Sequence, residues 1–240
     1  MKTQNEVGFT IIETMLFLGI TGLLVMGILT GTGVSINIQR YRDSVTSLQA
    51  TLQQQFSDVA NVSNDSAGDL ACHGATKARG QSDCVLLGRF ITTTTSHVLS
   101  IKNVIGYIDP NTSLAQNDLS ALKQFEINVS AVGSQEYTIE WGASLVGLAS
   151  TGSNPAAFSM LILRSPVSGV TRTFIDSTNT ISDAKIADLL STSPSALTKS
   201  VNVCVDSNGL FAGGKSSVVI NPNATGASAV ETRGEAISEC

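Results

Sequence analysis

The chain has 240 residues, a formal net charge of −5 and only 14 lysines and arginines, which do not cluster. Because a nucleic-acid-binding protein normally needs a basic patch, this charge balance gives no support to nucleic acid as a partner. Apolar residues make up 42% of the chain, which is enough for a core, whereas charged residues make up 14% and aromatic residues 5%. This mixture, with abundant Gly, Ser, Thr and Asn, is more typical of a strand-and-loop domain outside the cell than of a charged cytosolic enzyme.

A long helix is predicted near the N-terminus, over residues 9–60. No charged residue lies between Thr14 and Gln39, and about 20 apolar residues in a helix cross the roughly 30 Å of membrane hydrocarbon. We therefore expect a transmembrane segment over about residues 14–38. The second half of the helix is amphipathic, because apolar residues recur at three- and four-residue intervals and so share one face. These residues are Val45, Leu48, Leu52, Phe56 and Val59. That face must dock against another part of the protein.

After residue 60 the pattern changes to short apolar runs separated by Gly, Asn, Ser and Pro, which predicts one β-rich globular domain over residues 61–240. Candidate strands begin at Val85, His97, Phe125, Gln135, Ala157, Val170, Ser200, Gly209 and Ser217. Short helices are predicted from Asp118 and from Ser182, each of which is a good N-cap residue. The predicted fold class is α+β: a long N-terminal helix packed on a mainly antiparallel β-sheet or β-sandwich.

The four cysteines are Cys72, Cys84, Cys204 and Cys240. Position suggests pairing Cys72 with Cys84 and Cys204 with Cys240, although four cysteines allow three connectivities. Disulfides are favoured over free thiols because the apolar N-terminus indicates export to an oxidising compartment. Cys72, His73 and Cys84 do not have the spacing of zinc ligands, so no metal and no other cofactor is predicted.

One carboxylate, Glu13, lies near the start of the apolar run. A charge placed in the membrane hydrocarbon costs about 2.5–3.5 kcal/mol even on the lenient insertion scales. A secretory signal peptide fits poorly, because Lys2 is balanced by Glu6 and only a weak cleavage site follows. A plain transmembrane anchor explains the length of the run but not Glu13. It also leaves Arg40 and Arg42 on the outer side, against the positive-inside tendency.

The stretch "GFTIIE", from Gly8 to Glu13, resembles the class III signal of type IV prepilins and pseudopilins. The resemblance implies that residues 1–8 are a leader, and that prepilin peptidase cleaves between Gly8 and Phe9 and methylates the new amino group of Phe9. It also implies that Glu13 is an assembly residue, which meets the N-terminal amine of a neighbouring subunit in a filament. Two opposite charges in a medium of low dielectric constant offset each other's burial cost, and only one stagger of the subunits brings them together.

The N-terminal region departs from the commonest pattern of this family in two ways. Glu6 stands in a leader where basic residues are typical, although Lys2 remains. The apolar half of the helix lacks the proline found in many major pilins and contains Gly19, Gly22, Gly27, Gly31 and Gly33. These glycines either let the helix loosen in a filament or permit close helix–helix contact in the membrane.

The C-terminal segment "VNVCVDSNGLFAGGKSSVVINPNATG" resembles the end of H-type pseudopilins and the related minor pilins. A pair between Cys204 and Cys240 would then enclose the last strands, as the terminal cysteine pair does around an exposed loop in many type IV pilins. The simpler interpretation of this pair is a structural crosslink that holds down the chain end.

No catalytic set is evident. His73 and His97 are the only histidines, no "GxSxG" occurs, and the "GLFAGGK" run from Gly209 lacks the order of a phosphate-binding loop. Trp141 is interpreted as a core or rim residue rather than as a binding platform. A membrane-anchored surface enzyme would need a polar pocket around His73 or His97.

The resemblance therefore implies a non-enzymatic minor pilin or pseudopilin of a type IV pilus or a related filament. Its expected partners are other pilin subunits, prepilin peptidase, the inner-membrane pilus assembly machinery and, before assembly, membrane lipid. The expected location is the cytoplasmic membrane, with the C-terminal domain outside, and then the pilus at the bacterial cell surface. The alternative is an adhesin or ligand-binding module, DNA-binding in some relatives, carried on a pilin stalk.

Overall fold

A computed structural model describes residues 10–61, 84–146, 159–176, 186, 200–210, 215–234 and 240. Helix α1 runs from Ile11 to Ala60, 50 residues. It begins where the extended backbone of Thr10 lets its Oγ1 accept a hydrogen bond of 3.3 Å from the backbone N–H of Glu13. It ends at Asn61, whose N–H still donates to the carbonyl of Ser57. The predicted long helix is confirmed over this range.

The described strands form two antiparallel sheets. They are β1 Val85–Thr95, β2 Val98–Tyr107, β3 Glu126–Thr138, β4 Ser144–Leu145, β5 Ser159–Arg164, β6 Thr171–Asp176, β7 Val201–Asp206, β8 Lys215–Ile220 and β9 Val230–Arg233. One sheet has the order β3-β2-β1-β5-β6 and the other β4-β7-β8-β9. A short helix α2, Asp118–Leu122, follows β2 and is capped by the side chain of Asn117. The predicted α+β class, a long helix packed on mainly antiparallel sheets, is confirmed.

Helix α1 has two halves with different surroundings. In the docked half, residues 41–59, the buried side chains are Tyr41, Ser44, Val45, Leu48, Leu52, Gln55, Phe56 and Val59. They share one core with the inner faces of both sheets, including Ile91, Val203 and Val218. The amphipathic pattern predicted this stripe, because its members repeat with the helical period.

The five-stranded sheet is covered on both faces. Along β5, Met160 and Ile162 join the core beneath α1, whereas Leu161 and Leu163 join a second core. This second core also contains Leu87, Phe90, Val104, Leu122, Phe125, Phe174 and Ile186. Because successive side chains of a strand point to opposite faces, a strand covered on both faces becomes apolar throughout, as in the "MLIL" of β5.

Two predicted strands are wrong in detail. Residues from Gln135 to Thr138 do not begin a new strand but complete β3, whose pairing with β2 steps from Asn103–Ser130 to Ile101–Gln135 across a bulge. The chain then turns at Trp141 and Gly142, both with positive φ, and enters the other sheet as β4. Of the strand predicted from Gly209, only Gly209 and Leu210 lie within the described residues, and they belong to a turn.

Three features near the C-terminus can also be compared with the predictions. Strand β8 begins at Lys215 rather than Ser217, and β9 was not predicted. Of the helix predicted from Ser182, only Ile186 lies within the described residues, and it is helical.

The disulfide predicted between Cys204 and Cys240 is confirmed, with a Cα–Cα distance of 5.7 Å. This pairing excludes the two connectivities that would join either residue to Cys72 or Cys84. Cys84 is also disulfide-bonded, whereas Cys72 lies outside the described residues. Since Cys204 lies in β7, the bond ties Cys240 to the four-stranded sheet. Lys215 reinforces this attachment by donating a hydrogen bond of 2.8 Å to the carbonyl of Cys240.

Candidate functional site on the N-terminal helix

The first half of α1 projects away from the β-sheets with its apolar surface uncovered. We call residues 11–36 the exposed half. Its large side chains are exposed all around the helix; Ile12 is 79% exposed, Phe17 66% and Leu23 74%. The helix is long and apolar enough to cross a membrane. A water-exposed surface of this kind is strongly unfavourable, and no residue in the described part of the chain covers it.

Four threonine hydroxyl groups of the exposed half are satisfied within the helix itself. Thr14, Thr21, Thr30 and Thr32 each donate to a carbonyl three or four residues earlier, at 2.8, 2.8, 2.8 and 3.0 Å. From Glu13 onward, the helix pairs the backbone N–H groups. An unpaired polar group is costly in hydrocarbon, where water cannot replace the missing partner. These threonines are therefore compatible with an apolar surrounding.

Glu13 is the exception among these polar groups. It lies exposed in the first turn of α1, where the partial positive charge of a helix N-terminus favours a carboxylate. The next cation along the chain is Arg40, on the order of 40 Å away at about 1.5 Å per helical residue. Among the ion pairs of the described residues, none includes Glu13. Gly8 and Phe9 lie outside the described residues.

Hydrogen bonds fix the position of α1 relative to both sheets. Near the middle of the helix, the Asn37 side chain donates to the carbonyl of Leu210 at 3.1 Å, and the buried hydroxyl of Tyr41 donates to the carbonyl of Val205 at 2.7 Å. The amides of Gln49 and Gln53, one turn apart, both donate to the carbonyl of Val230, at 3.1 and 2.9 Å. At the far end, Arg89 of β1 meets Asp58 at 3.5 Å. The β domain therefore fixes the rotation and the axial position of α1, and with them the orientation of the exposed half.

Tyr41 was missed as a core residue, although the sequence contained a signal for it. It precedes Val45 by four residues and therefore continues the buried stripe. Its side chain is fully buried, and its hydroxyl bond to β7 begins the docked half.

The contact between Arg40 and Trp141 was also not predicted. The Arg40 guanidinium lies over the Trp141 ring, 5.1 Å from the ring centre. Trp141 has φ 57° and ψ 20°, a left-handed conformation that is rare for a bulky residue, and it is 48% exposed. It is therefore a rim residue. An exposed cation–π pair contributes about 0.5–1 kcal/mol, whereas such backbone strain costs on the order of 1–3 kcal/mol.

Two other polar side chains, those of His97 and Asp118, have structural partners. The ring Nδ1 of His97 lies 2.9 Å from the carbonyl of Ala143, and His73 lies outside the described residues. Asp118 accepts a hydrogen bond of 2.6 Å from Ser165 and pairs with Arg172 at 3.3 Å. The Ser165 hydroxyl is the main cause that lowers the pKa of Asp118 below its ordinary value. Across the described ranges, no three His, Cys, Asp or Glu residues lie close enough to hold a metal ion.

No family model, no curated protein and no solved structure matches this chain.

Proposed function

We propose that this protein is a structural subunit, a minor pilin or pseudopilin, of a type IV pilus or a related filament. The observation that carries the proposal is the single helix α1. Its exposed half begins with a carboxylate and is apolar all around, and its docked half is locked to a β domain. In this function, the exposed half lies in the membrane before assembly and among other subunits' helices afterwards.

The position of Glu13 supports an assembly role. An ionised carboxylate is expensive in an apolar surrounding unless a cation meets it, and α1 provides no cation before Arg40. Cleavage after Gly8 would create a free amine at Phe9, and the amine of a neighbouring subunit would then supply the missing positive charge. The charge pair would set the axial stagger between subunits, while the apolar surface would supply most of the association free energy.

The described structure gives less support to the alternative, a ligand-binding module on a pilin stalk. Outside α1, the exposed large apolar side chains of the described residues are Val85, Leu114, Val132, Trp141, Val167 and Val170. Only one of these is aromatic, and it lies beside α1 rather than far from it. We therefore propose a structural and non-enzymatic role.

Processing is tested by mass spectrometry of the native protein, purified without reducing agent. The expected mature N-terminus is Phe9 carrying one added methyl group. An unprocessed N-terminus at Met1, or a cleavage near Ser35, would contradict the pilin function.

The role of Glu13 is tested with matched substitutions in the native filament system. Glu13→Gln removes the charge at nearly constant size and should abolish incorporation into filaments, while the subunit still reaches the membrane. Glu13→Asp keeps the charge and should retain part of the incorporation. Thr14→Gln, which places the same amide at the adjacent position, is the control and should assemble. Normal assembly of the Glu13→Gln subunit would rule out the charge pair.

A further inference from the structure

Two turns of the β domain lie beside the middle of α1, where the exposed half ends. The turn at Glu140–Gly142 brings Trp141 to Arg40, and the turn after β7 brings the carbonyl of Leu210 to Asn37. The opposite end of the domain lies near Asp58, which meets Arg89 of β1. At about 1.5 Å per helical residue, Arg40 and Asp58 are separated by roughly 27 Å along the helix axis. The domain therefore has one end close to the apolar surface and one end remote from it.

Trp141 lies at the boundary between apolar and polar sequence. The uncharged run that starts after Glu13 ends at Gln39, and Arg40 is the next residue. If the exposed half crosses the membrane, Arg40 lies at the level of the lipid headgroups and Trp141 lies next to it. This is the depth at which tryptophan is enriched in membrane proteins, because its ring is apolar and its indole N–H is polar. Arginine at this depth keeps its charge in water while its stem covers apolar surface.

The backbone of Trp141 gives a second, independent reason to expect a ligand here. The residue is held in a left-handed conformation with much of its ring exposed, and the contact with Arg40 is too weak to offset that strain. Strained residues of this kind cluster at ligand-binding sites. An apolar medium that covered the exposed ring would add hydrophobic free energy to the turn that holds it.

We propose that Trp141 and Arg40 form a phospholipid-binding anchor that holds the β domain against the membrane surface before assembly. The inference rests on the membrane insertion included in the proposed function. The occupant is the headgroup and upper acyl region of the bilayer. Acidic residues also lie here, Asp43 on α1 and Glu140 beside the tryptophan. Net charge attraction is therefore small, and the anchor should work on zwitterionic as well as anionic lipid.

The chain contains a single tryptophan, so its fluorescence reports on Trp141 alone. The experiment reconstitutes the full chain into phosphatidylcholine vesicles, with or without phosphatidylglycerol, and recovers the vesicles by flotation. Nitroxide quenchers are attached to the lipid either close to the headgroup or deep in the acyl chain. We expect several-fold greater quenching by the shallow nitroxide than by the deep one, and similar quenching in both lipid compositions.

The matched control moves the tryptophan to the remote end of the domain, in the variant Trp141→Phe/Val167→Trp. Val167 is 46% exposed, similar to Trp141, and lies in the turn after β5. Leu163 of β5 pairs with Gly88, the neighbour of Arg89, which places this turn near Asp58. The introduced indole should escape quenching by either lipid.

Each other result has a definite meaning. Quenching of Trp141 no greater than that of the control, in vesicles that carry the protein, would overturn the anchor while leaving membrane insertion intact. Quenching confined to phosphatidylglycerol vesicles would assign the contact to charge and overturn the role of Trp141. Protection of Trp141 from both nitroxides that is lost on dilution to one chain per vesicle would overturn the anchor and identify a second copy as the occupant. A chain that does not float with the vesicles would refute membrane insertion itself, and the anchor with it.

Discussion

The exposed and docked halves of α1 belong to one uninterrupted helix, yet their apolar side chains differ in solvent exposure. Phe56 in the docked half is 1% exposed, whereas Phe17 in the exposed half is 66% exposed. The docked half has a polar side facing solvent and an apolar stripe that the chain itself covers. The exposed half is apolar on all sides, and the described residues cover none of these sides.

This difference implies that the docked half contributes to folding stability and the exposed half to association with lipid or other molecules. The docked half contributes to the free energy of unfolding of the β domain, because its side chains leave water when the domain folds. The exposed half contributes only when lipid or another molecule covers it. Substitutions that are chemically identical should therefore have different effects in the two halves.

The largest effect is expected from matched phenylalanine truncations. Phe56→Ala should lower the free energy of unfolding of the β domain by about 3–5 kcal/mol, because it leaves a cavity between α1 and the sheets. Phe17→Ala should leave that free energy unchanged. The measurement is denaturant unfolding of the full chain in detergent micelles, followed by Trp141 fluorescence. Equal losses for the two variants would show that the halves do not differ as described.

The disulfide provides the next test. Replacing both Cys204 and Cys240 with Ser should lower the same free energy by about 3–4 kcal/mol in the chain-entropy model, since the bond closes a loop with a sequence separation of 36. Membrane insertion of the exposed half should be unchanged, as measured by vesicle flotation. A loss of flotation would mean that the exposed half depends on the disulfide that holds Cys240 to the four-stranded sheet.

A smaller effect is expected at the boundary between the halves. Tyr41→Phe removes the hydroxyl that donates to the buried carbonyl of Val205 and should cost about 1–2 kcal/mol of unfolding free energy. The matched control is Tyr137→Phe. The hydroxyl of Tyr137 donates to the Ser47 side chain at 3.1 Å in a half-buried position. This control should cost less, because water can replace the lost partner. A larger loss of unfolding free energy for Tyr137→Phe than for Tyr41→Phe would show that the docked half does not begin at Tyr41.

The smallest effect concerns pH and the β domain alone. The pKa of Asp118 lies below its ordinary value of 3.8 in the folded state. Its stabilising contribution is therefore complete above that value and is lost as the pH falls through the lower, folded pKa. Unfolding measured across this range should show a steeper acid loss for the native protein than for Asp118→Asn. Parallel curves would show that Ser165 and Arg172 do not favour the charged form.

Much of the architecture followed from local patterns. The three- and four-residue spacing from Val45 to Val59 predicted the docked stripe, and alternating or apolar runs located most of the strands. These patterns are visible in sequence because each is set by the geometry of a single element. The assignment of Glu13 as an assembly residue came from a motif and stays a prediction.

Other features depend on residues that are distant in sequence. Residues 135–138 look like an independent strand, but the partner β2 already pairs with the preceding residues and a bulge joins the two runs into β3. Strand β9 has only one apolar residue, so its sequence does not predict a strand. Its pairing with β8 makes it one. Trp141 was ambiguous because its exposure depends on where the chain changes sheets.

The sequence by itself determined that this protein has a membrane-length apolar helix continued by an amphipathic one, with a carboxylate at its tip, because composition and helical period are properties of consecutive residues. Only the tertiary structure decided how the strands divide between two sheets and which loops meet α1 at residues 37–41. It also decided that Trp141 lies beside Arg40. These features arise from packing between segments far apart in the chain, where each contact depends on all the others being formed.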